Sequence, residues 1–285
     1  MQLSKAYILL FLLVVLFQNC KKEEQKPVDP HPQLTADKKI IANYVATNQF
    51  QGSFTAEGIF YSNLKEGTGS APVVRNGMYV KYAEKLLNGT FIDSGKAMYQ
   101  YGVEENFPGF NMSLGVLKKE GIGRFIIPSD YVFGSASGNY KKVFIPAYAI
   151  IQLDLEVIDI MNEDSIIPKY LKYNNLTATK TTSGLYYYIT QAGTGVQVEN
   201  LSTVTVNYQG TFLNDVIFDP GTQPFIFKAG TGAVISGFDE GIRLLKQGDK
   251  AVLLIPYNLG YGASGIQQIP GYAILKFTVE VANVN

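Results

Sequence analysis

Apolar residues occupy every second position in three segments of the C-terminal half of the chain. These positions are Val204, Val206 and Tyr208, then Ala251, Leu253 and Ile255, and finally Leu275, Phe277, Val279 and Val281. Because successive side chains of a strand point to opposite faces, the pattern predicts strands with one buried and one solvated face. Strands of this kind are typical of an antiparallel sheet, which is the sheet we expect here.

A helical spacing interrupts the predicted strands. Apolar residues recur every three or four positions at Ile235, Phe238, Ile242 and Leu245. This spacing predicts one short helix that lies on the sheet and ends before Gly248, with Ser236 and Asp239 as its capping box. An equivalent stripe lies earlier in the chain, at Phe107, Phe110, Leu114 and Leu117. Pro108 is compatible with this earlier helix because it falls in the first turn.

The chain repeats itself at an offset of 126 positions, the separation of Asp37 from Glu163. The same offset relates Tyr82 to Tyr208 and pairs further residues along the chain, among them Ile40 with Ile166, Tyr44 with Tyr170, Asn88 with Asn214, Asp93 with Asp219 and Gly95 with Gly221. Such self-similarity predicts two tandem domains that divide near residue 161. We call residues 37–161 the first repeat and residues 162–285 the second repeat.

Composition supports two folded domains and argues against a nucleic-acid partner. The 285 residues are 46% hydrophobic and 17% charged, which is enough apolar material for two cores. Lys plus Arg and Asp plus Glu each number 24, so the formal net charge is zero. The chain therefore has no overall basic field to attract nucleic acid.

The N-terminal segment predicts export. Lys5 is followed by the apolar run 6–17, which is short for a membrane span and typical of the apolar region of a signal peptide. Cys20 is the only cysteine, so no internal disulfide can form. The run Leu16-Phe17-Gln18-Asn19-Cys20 resembles a bacterial lipoprotein acylation site, so we expect residues 1–20 to be a signal peptide ending in a lipidated cysteine. The alternative is secretion with a free thiol.

Residues 21–36 are predicted to form a tether between the anchor and the first repeat. Pro27, Pro30 and Pro32 indicate a semi-stiff spacer, and His31, the only histidine, is expected to be solvated within it. The charged run 21–24 also resembles the surface-export signal of Bacteroidetes lipoproteins. We therefore expect attachment to the outer membrane through the lipid, on either its periplasmic or its surface face.

Five motifs of the second repeat resemble those of the FKBP-type peptidyl-prolyl isomerases. They are Val206-Asn207-Tyr208-Gln209-Gly210, Phe218-Asp219, the run 234–241, the run 261–265 and Ile269-Pro270. The resemblance covers a core of residues 184–285. It implies an α+β fold with two tandem FKBP-like domains, each a curved antiparallel sheet wrapped on one short helix. It also implies isomerisation of X-Pro bonds in polypeptide chains, without a cofactor.

The resemblance assigns catalytic roles to Tyr208, Asp219, Phe238 and Tyr261. Phe238 would form the floor of the pocket, Tyr261 would donate its hydroxyl to a substrate carbonyl, and Asp219 would hold a polar position. The substrate-binding residues that it implies are Phe218, Phe225, Val234, Ile235, Ile269 and Phe277. Three features depart from the family pattern: the segment 219–224 is short and lacks a basic residue, Ala233 replaces a common acidic residue, and the loop 266–268 is shortened.

The first repeat has diverged further from the family. Tyr82, Asp93 and Phe110 remain, but Phe133 stands at the position of Tyr261 and therefore lacks the hydroxyl. An enlarged loop, Gly138 to Val143, is expected to lie over the groove. We predict that this repeat isomerises poorly and instead binds chains or serves the fold.

Other chemistry finds little support in the sequence. One His and one Cys cannot form a zinc cluster, and no phosphate-binding or nucleophile-elbow motif is present. Two alternatives to an envelope folding isomerase stay open. One is a non-catalytic chaperone or peptide-binding lipoprotein, and the other is a motility-associated lipoprotein.

Overall fold

The computed structural model describes residues 29, 31–103 and 107–285. The predicted signal peptide, Cys20, the charged run 21–24, Pro27 and Pro30 lie outside the described residues. His31 is exposed, as expected. The residues from Gln33 to Asn285 form one compact unit that contains both predicted repeats. Within this unit the expected α+β architecture of two antiparallel sheets with short helices is confirmed.

The first repeat forms a six-stranded antiparallel sheet with the spatial order β1-β2-β5-β8-β3-β4. Its strands are β1 (Ser53–Phe54), β2 (Phe60–Lys65), β3 (Gly77–Leu86), β4 (Phe91–Gln100), β5 (Ile122–Ile127) and β8 (Ile151–Met161). A separate two-stranded hairpin, β6 (Gly138–Tyr140) and β7 (Val143–Ile145), lies within the segment between β5 and β8. This hairpin occupies the position of the enlarged loop predicted from the sequence.

The second repeat forms a seven-stranded antiparallel sheet with the same topology. Its strands are β9 (Thr179–Lys180), β10 (Tyr186–Gln191), β11 (Thr203–Thr211), β12 (Ile217–Asp219), β13 (Phe225–Lys228), β14 (Lys250–Ile255) and β15 (Leu275–Val284). The order is β9-β10-β14-β15-β11-β12, with β13 paired to the other end of β11. The long strand β4 of the first sheet therefore corresponds to two shorter strands, β12 and β13, which are separated by the segment 220–224.

Four α-helices accompany the sheets in the described part of the chain: α1 (Pro32–Thr47), α2 (Pro108–Val116), α3 (Ile166–Tyr173) and α4 (Ser236–Arg243). Helix α2 covers the first sheet and carries Pro108 in its first turn, as predicted. Helix α4 covers the second sheet and buries Phe238 and Ile242 in its core. Each core thus lies between one face of a sheet and one short helix. Without that helix, the apolar face of the sheet would be exposed to solvent.

Helix α3 lies between the two sheets. Ile166, Ile167, Tyr170 and Leu171 share one apolar cluster with Tyr79 and Met98 of the first sheet and with Val252 and Leu254 of the second. The ring of Tyr173 stacks on Tyr79 with centroids 4.0 Å apart. The side chains on the outer faces of both sheets are therefore buried by a shared helix, which joins the repeats.

Two details of the helices differ from the sequence predictions. The tether was expected to reach residue 36, but α1 already begins at Pro32, whose fixed φ suits the first turn of a helix. The predicted capping box of α4 is wrong. The Ser236 hydroxyl donates to the carbonyl of Leu259 at 3.2 Å, while Asp239 accepts from the backbone N–H of Gly230 at 2.7 Å. Both side chains thus attach α4 to neighbouring loops.

Candidate active site

A cavity of about 340 Å³ opens between α4 and the second sheet. It is lined by Tyr208, Asp219, Phe225, Ala233, Val234, Ile235, Phe238, Tyr261 and Phe277. Five of these nine residues lie on strands β11, β12, β13 and β15 and on helix α4. The other four lie on the loops before α4 and between β14 and β15. The lining is aromatic and aliphatic except for one carboxylate and two phenol groups, a composition that suits an apolar ring with one polar attachment.

Three aromatic rings meet at the bottom of this cavity. Phe238 is only 4% exposed, and its ring centroid lies 5.9 Å from that of Tyr208 and 5.1 Å from that of Phe277. The interplanar angles of 74° and 71° correspond to edge-to-face packing, which is favourable for aromatic pairs. The floor is therefore held in place by its neighbours.

Asp219 and Tyr208 form the polar wall. The Tyr208 hydroxyl donates to Oδ2 of Asp219 at 2.7 Å, and the backbone N–H of Gly221 donates to Oδ1 at 3.1 Å. Gly221 has φ of +56°, and a Cβ there would lie 1.7 Å from the carbonyl oxygen of Tyr208, so only glycine fits. Burial and the neighbouring Asp219 carboxylate raise the pKa of Tyr208 to about 12. The Tyr208 hydroxyl is thus committed to Asp219.

Tyr261 is held at the rim by a glycine turn. The backbone N–H of Gly262, which has φ of +70°, donates to the carbonyl of Tyr257 at 2.8 Å. Among the described residues the Tyr261 hydroxyl has no hydrogen-bond partner, although the side chain lines the cavity. Burial and the charge of Asp219 raise the pKa of Tyr261 above its ordinary value of 10.0, which keeps its proton in place at neutral pH. Tyr261 is therefore an available donor.

The structure brings together most of the residues expected in the site. All four expected catalytic residues line the cavity, as do four of the six expected binding residues: Phe225, Val234, Ile235 and Phe277. Phe218 and Ile269 do not line it. Phe218 packs against Phe212 and Phe277 outside the cavity, and Ile269 is a 5% exposed core residue. Ala233 lines the cavity although it was not among the expected binding residues, and only its position before Val234 could have indicated this.

The hairpin of the first repeat projects into the corresponding hollow and leaves a smaller cavity of about 170 Å³, lined in part by Phe133, Tyr140 and Ile145. Tyr140 of β6 packs against Phe107 and Phe133, with ring centroids 6.3 and 5.1 Å apart. Lys141 pairs with Asp93 at 3.2 Å, and Tyr82 still donates to Asp93 at 2.8 Å. Phe107, Phe133, Asp93 and Tyr82 occupy the positions of Ile235, Tyr261, Asp219 and Tyr208 in the second repeat, in that order. The hairpin therefore lies where the cavity opens in the second repeat.

A buried carboxyl group lies beneath this hairpin. Glu84 is 1% exposed, and its carboxyl oxygens form no hydrogen bond of ordinary geometry among the described residues, although the Tyr140 hydroxyl lies close enough to interact with them. Burial raises the pKa of Glu84 to about 7, while the Lys141 ammonium and the Tyr140 hydroxyl act in the opposite direction and Asp93 adds to the rise. The second repeat has Gly210 at this position, where a Cβ would lie 2.4 Å from Phe218. Ile92 replaces that phenylalanine in the first repeat.

The described residues offer no group of three or more His, Cys, Asp or Glu side chains suited to a metal ion. In the same part of the chain, no helix has both the length and the apolar character needed to cross a bilayer. The cavity of the second repeat combines an apolar lining with the Tyr208–Asp219 pair and the Tyr261 hydroxyl, which is free among the described residues.

A protein-family model matches part of the second repeat. Residues 195–282 match the model for the FKBP-type peptidyl-prolyl cis-trans isomerase family. Among curated proteins, the isomerase FkpA of Escherichia coli K12 is 37% identical over 117 residues, which are 40% of this chain and 43% of that protein. FkpA of Buchnera aphidicola from Schizaphis graminum is 36% identical over 113 residues, 37% of this chain and 43% of its own. The chain thus spans less than half the length of these relatives.

Among solved structures, that of E. coli FkpA is 32% identical, with a TM-score of 0.39, over 42% of this chain and 57% of the other. A structure of the three FKBP domains of wheat FKBP73 is 21% identical, with a TM-score of 0.37, over 81% of this chain and 96% of the other. The match to the family model includes every lining residue of the cavity described above.

Proposed function

We propose that this chain, whose second repeat matches the model of the FKBP-type peptidyl-prolyl isomerase family, catalyses cis–trans isomerisation of X-Pro bonds in polypeptides. The observation that carries the proposal is an open aromatic cavity with one free phenolic donor at its rim. The first repeat keeps the fold, but its corresponding hollow is occupied by Tyr140 and Lys141. We therefore assign the activity to the second repeat.

The chemistry requires no nucleophile. Rotation about an amide faces a barrier of about 18–20 kcal/mol because the twisted state loses its resonance. Resonance makes the planar amide the more polar state, so an environment without water favours the twisted state relative to the planar one. In this cavity, the proline ring would rest on Phe238, with Tyr208 and Phe277 beside it. This aromatic floor excludes water from the rotating bond.

Polar groups of the cavity would hold the rest of the substrate. Tyr261 would donate its hydroxyl to a carbonyl next to the proline, which fixes the chain on one side of the rotating bond. Asp219 is oriented by Tyr208 and by the backbone of Gly221, so its remaining lone pairs face the cavity from a fixed direction. This arrangement supports proline-containing polypeptides as substrates.

For the cellular setting, we propose export and lipid attachment through Cys20. The support comes from the apolar run 6–17, the single cysteine that follows it and the proline-containing segment before α1. The clients would then be proteins of the envelope, where uncatalysed X-Pro isomerisation delays folding by tens of seconds. Mass spectrometry of the mature N-terminus tests the anchor. Recovery of unmodified residues 2–17 from cells would overturn it.

The open cavity and the free donor do not favour the alternative function of a non-catalytic chaperone. A refolding experiment distinguishes the two functions. The full chain is added in catalytic amounts to a client whose refolding is limited by one X-Pro bond. An isomerase accelerates the slow phase at a small molar ratio to the client, whereas a holding chaperone raises only the yield and only near stoichiometric amounts. A slow phase that is unchanged at every ratio would contradict the proposal.

A further inference from the structure

The loop that carries Tyr261 is attached to the first repeat. This loop, residues 256–274, joins β14 to β15. Gln100, the last residue of β4, is 1% exposed and reaches the end of the loop. Its side-chain nitrogen donates to the carbonyl of Tyr272 at 3.0 Å, and its side-chain oxygen accepts from the backbone N–H of Ile274 at 3.2 Å. One buried amide of the first repeat therefore fixes two backbone groups of the loop.

A second contact from the first repeat involves Arg75. Its guanidinium carbon lies 3.9 Å from the ring centroid of Tyr272 and 5.4 Å from that of Tyr257, and the two rings are 5.1 Å apart. Glu163 forms an ion pair with the same guanidinium. The backbone N–H of Arg75 donates to the carbonyl of Tyr101 at 2.8 Å, so Arg75 and Gln100 come from adjoining segments.

Both tyrosines beneath Arg75 are hydrogen-bonded to the neighbour of Tyr261. The backbone N–H of Tyr272 donates to the carbonyl of Gly262 at 2.9 Å, and the N–H of Gly262 donates to the carbonyl of Tyr257 at 2.8 Å. The first repeat is therefore linked to the backbone next to Tyr261 by one side-chain contact, from Arg75 to Tyr272, and one backbone hydrogen bond, from Tyr272 to Gly262. Any shift of Tyr257 or Tyr272 moves the backbone that orients Tyr261.

We propose that Arg75 and Gln100 are positioning residues for Tyr261. The proposal rests on the proposed isomerase function and extends it, because it makes the divergent first repeat part of the active site of the second. Residues 263, 264 and 266–268 are exposed, and Gly262 and Gly265 lack side chains that could restrict the backbone. A loop of this composition needs an external support to hold one hydroxyl within hydrogen-bonding reach of a substrate.

These contacts are not needed merely to join the repeats. Helix α3 already provides the main apolar contact between the sheets, through the cluster that contains Tyr79, Met98, Val252 and Leu254. Of the loop residues that Arg75 and Gln100 contact, Ile274 belongs to that cluster, whereas Tyr257 and Tyr272 do not. Apart from the ion pair of Arg75 with Glu163, their side-chain contacts are directed at Tyr257, Tyr272 and Ile274, all of which lie in the loop of Tyr261.

The first experiment measures turnover of an X-Pro peptide by full-chain variants. Arg75→Met removes the charge and the planar stack, and Gln100→Leu removes both hydrogen bonds. Each should lower kcat about threefold, no more than removal of the Tyr261 hydroxyl itself, with KM changed less than about twofold, because the donor acts on the rotating bond more than on peptide binding. In a Tyr261→Phe background the same substitutions should produce no further decrease, since the hydroxyl that they position is gone.

The matched control is Arg124→Met. Arg124 also stacks on an aromatic ring, that of Phe50 at 4.6 Å, and forms an ion pair, with Asp154 at 2.7 Å. These contacts lie wholly within the first repeat, so kcat should match that of the wild type. A purely structural role for Arg75 and Gln100 would lower kcat by the same factor with and without the Tyr261 hydroxyl, and this result would overturn the proposal.

Hydrogen exchange gives a readout that does not depend on activity. In Arg75→Met and Gln100→Leu the amides of Gly262 and Tyr272 should exchange about tenfold faster, while those of β11 keep their wild-type rates. Unchanged exchange in the loop would overturn the positioning role. If the wild type shows no isomerase activity but the variants still exchange the loop amides faster, the positioning role is supported and the proposed function is refuted.

Discussion

At the scale of single residues, two phenols in one cavity have different roles. The hydroxyl of Tyr208 is used by Asp219, whereas that of Tyr261 is free among the described residues. An inventory of residue types would treat them as equivalent donors. The hydrogen bonds show that one tyrosine orients a carboxylate and that the other is available to a ligand.

Substitution of the free phenol tests this distinction. Tyr261→Phe should lower kcat/KM about fivefold, which corresponds to the loss of about 1 kcal/mol from one hydrogen bond. Tyr188→Phe is the control, because Tyr188 lies in the cluster around α3, outside the cavity. Peptide isomerisation is measured at pH values from about 6 to about 9. The wild-type rate should be constant across this range because the pKa of Tyr261 is raised. A decline between about pH 7 and 8 would contradict its role as a protonated donor.

Glu84 makes the stability of the first repeat depend on pH. Its pKa is about 7 in the folded protein and near 4.5 in the unfolded chain, so the folded state binds more protons between these values. Stability is therefore highest below about pH 4.5 as far as this group is concerned, and it falls by up to about 3 kcal/mol as pH rises through 7. Lys141, Asp93, Tyr82 and Tyr140 are the ionisable groups that surround it.

Glu84→Gln removes this titration. We expect the variant to be more stable than the wild type at about pH 8, with the difference in the free energy of unfolding shrinking towards about pH 5. Denaturant titrations at the two pH values measure it. A difference between variant and wild type that is the same at both pH values would show that Glu84 does not titrate in this range.

The sequence predicted most of the residues that line the cavity but not their hydrogen-bond partners. The alternation of β15 predicts that Phe277 faces inward, and the structure confirms it as a wall of the cavity. Periodicity could not show that Phe218 lies outside the cavity. Phe218 precedes Asp219 on a short edge strand, where the register with β11 shifts. Nor could periodicity reveal the hydrogen bond from Gly221 to Asp219, which depends on a local turn.

At the scale of secondary-structure elements, the hairpin β6–β7 distinguishes the two hollows. Tyr82 is 8% exposed beneath it, whereas its counterpart Tyr208 is only half-buried beside an open cavity. The enlarged loop was visible in the sequence as an insertion between Phe133 and Ile145. The occupation of the hollow by Tyr140 and Lys141 was not, because it depends on the conformation of the hairpin.

Removal of the two occupying side chains should open the first hollow. In Tyr140→Ser/Lys141→Ser we expect stronger binding of an apolar fluorescent dye. Turnover should stay unchanged, because Phe133 provides no hydroxyl. Lys142→Ala, an exposed change in the turn of the same hairpin and outside the cavity, is the control and should bind dye like the wild type. If the double variant gained isomerase activity equal to that of the second repeat, the donor hydroxyl would be dispensable.

The start of α4 shows where local sequence patterns are insufficient. Ser236 and Asp239 have the spacing of a capping box, but tertiary partners compete for both side chains. Asp239 binds the N–H of Gly230 and also forms an ion pair with Arg243, one turn further along the helix. The helix itself was predicted correctly because its apolar stripe faces a core, and this determines its position regardless of the cap.

At the scale of the whole molecule, one fold occurs twice, with an open hollow in one copy and a hairpin in the hollow of the other. The sheet orders of the two repeats are equivalent strand by strand, and helix α3 packs between them. The internal repeat was evident from the offset of 126 residues. The attachment of the Tyr261 loop to Gln100 was not, because no local pattern relates residues 172 positions apart.

The central claim is that the open aromatic hollow of the second repeat, and not its counterpart beneath the hairpin of the first, isomerises X-Pro bonds. Phe238 and Phe110 occupy equivalent positions, are 4% and 1% exposed, and pack against Tyr208 and Tyr82 respectively. The measurement is isomerisation of an X-Pro peptide by the full chain, by Phe238→Ala and by Phe110→Ala, with the fold of each variant checked by circular dichroism. We predict acceleration by the wild type, a decrease of at least about tenfold in Phe238→Ala, and near wild-type activity in Phe110→Ala. No acceleration by the wild type, or equal losses in the two variants, would contradict the account.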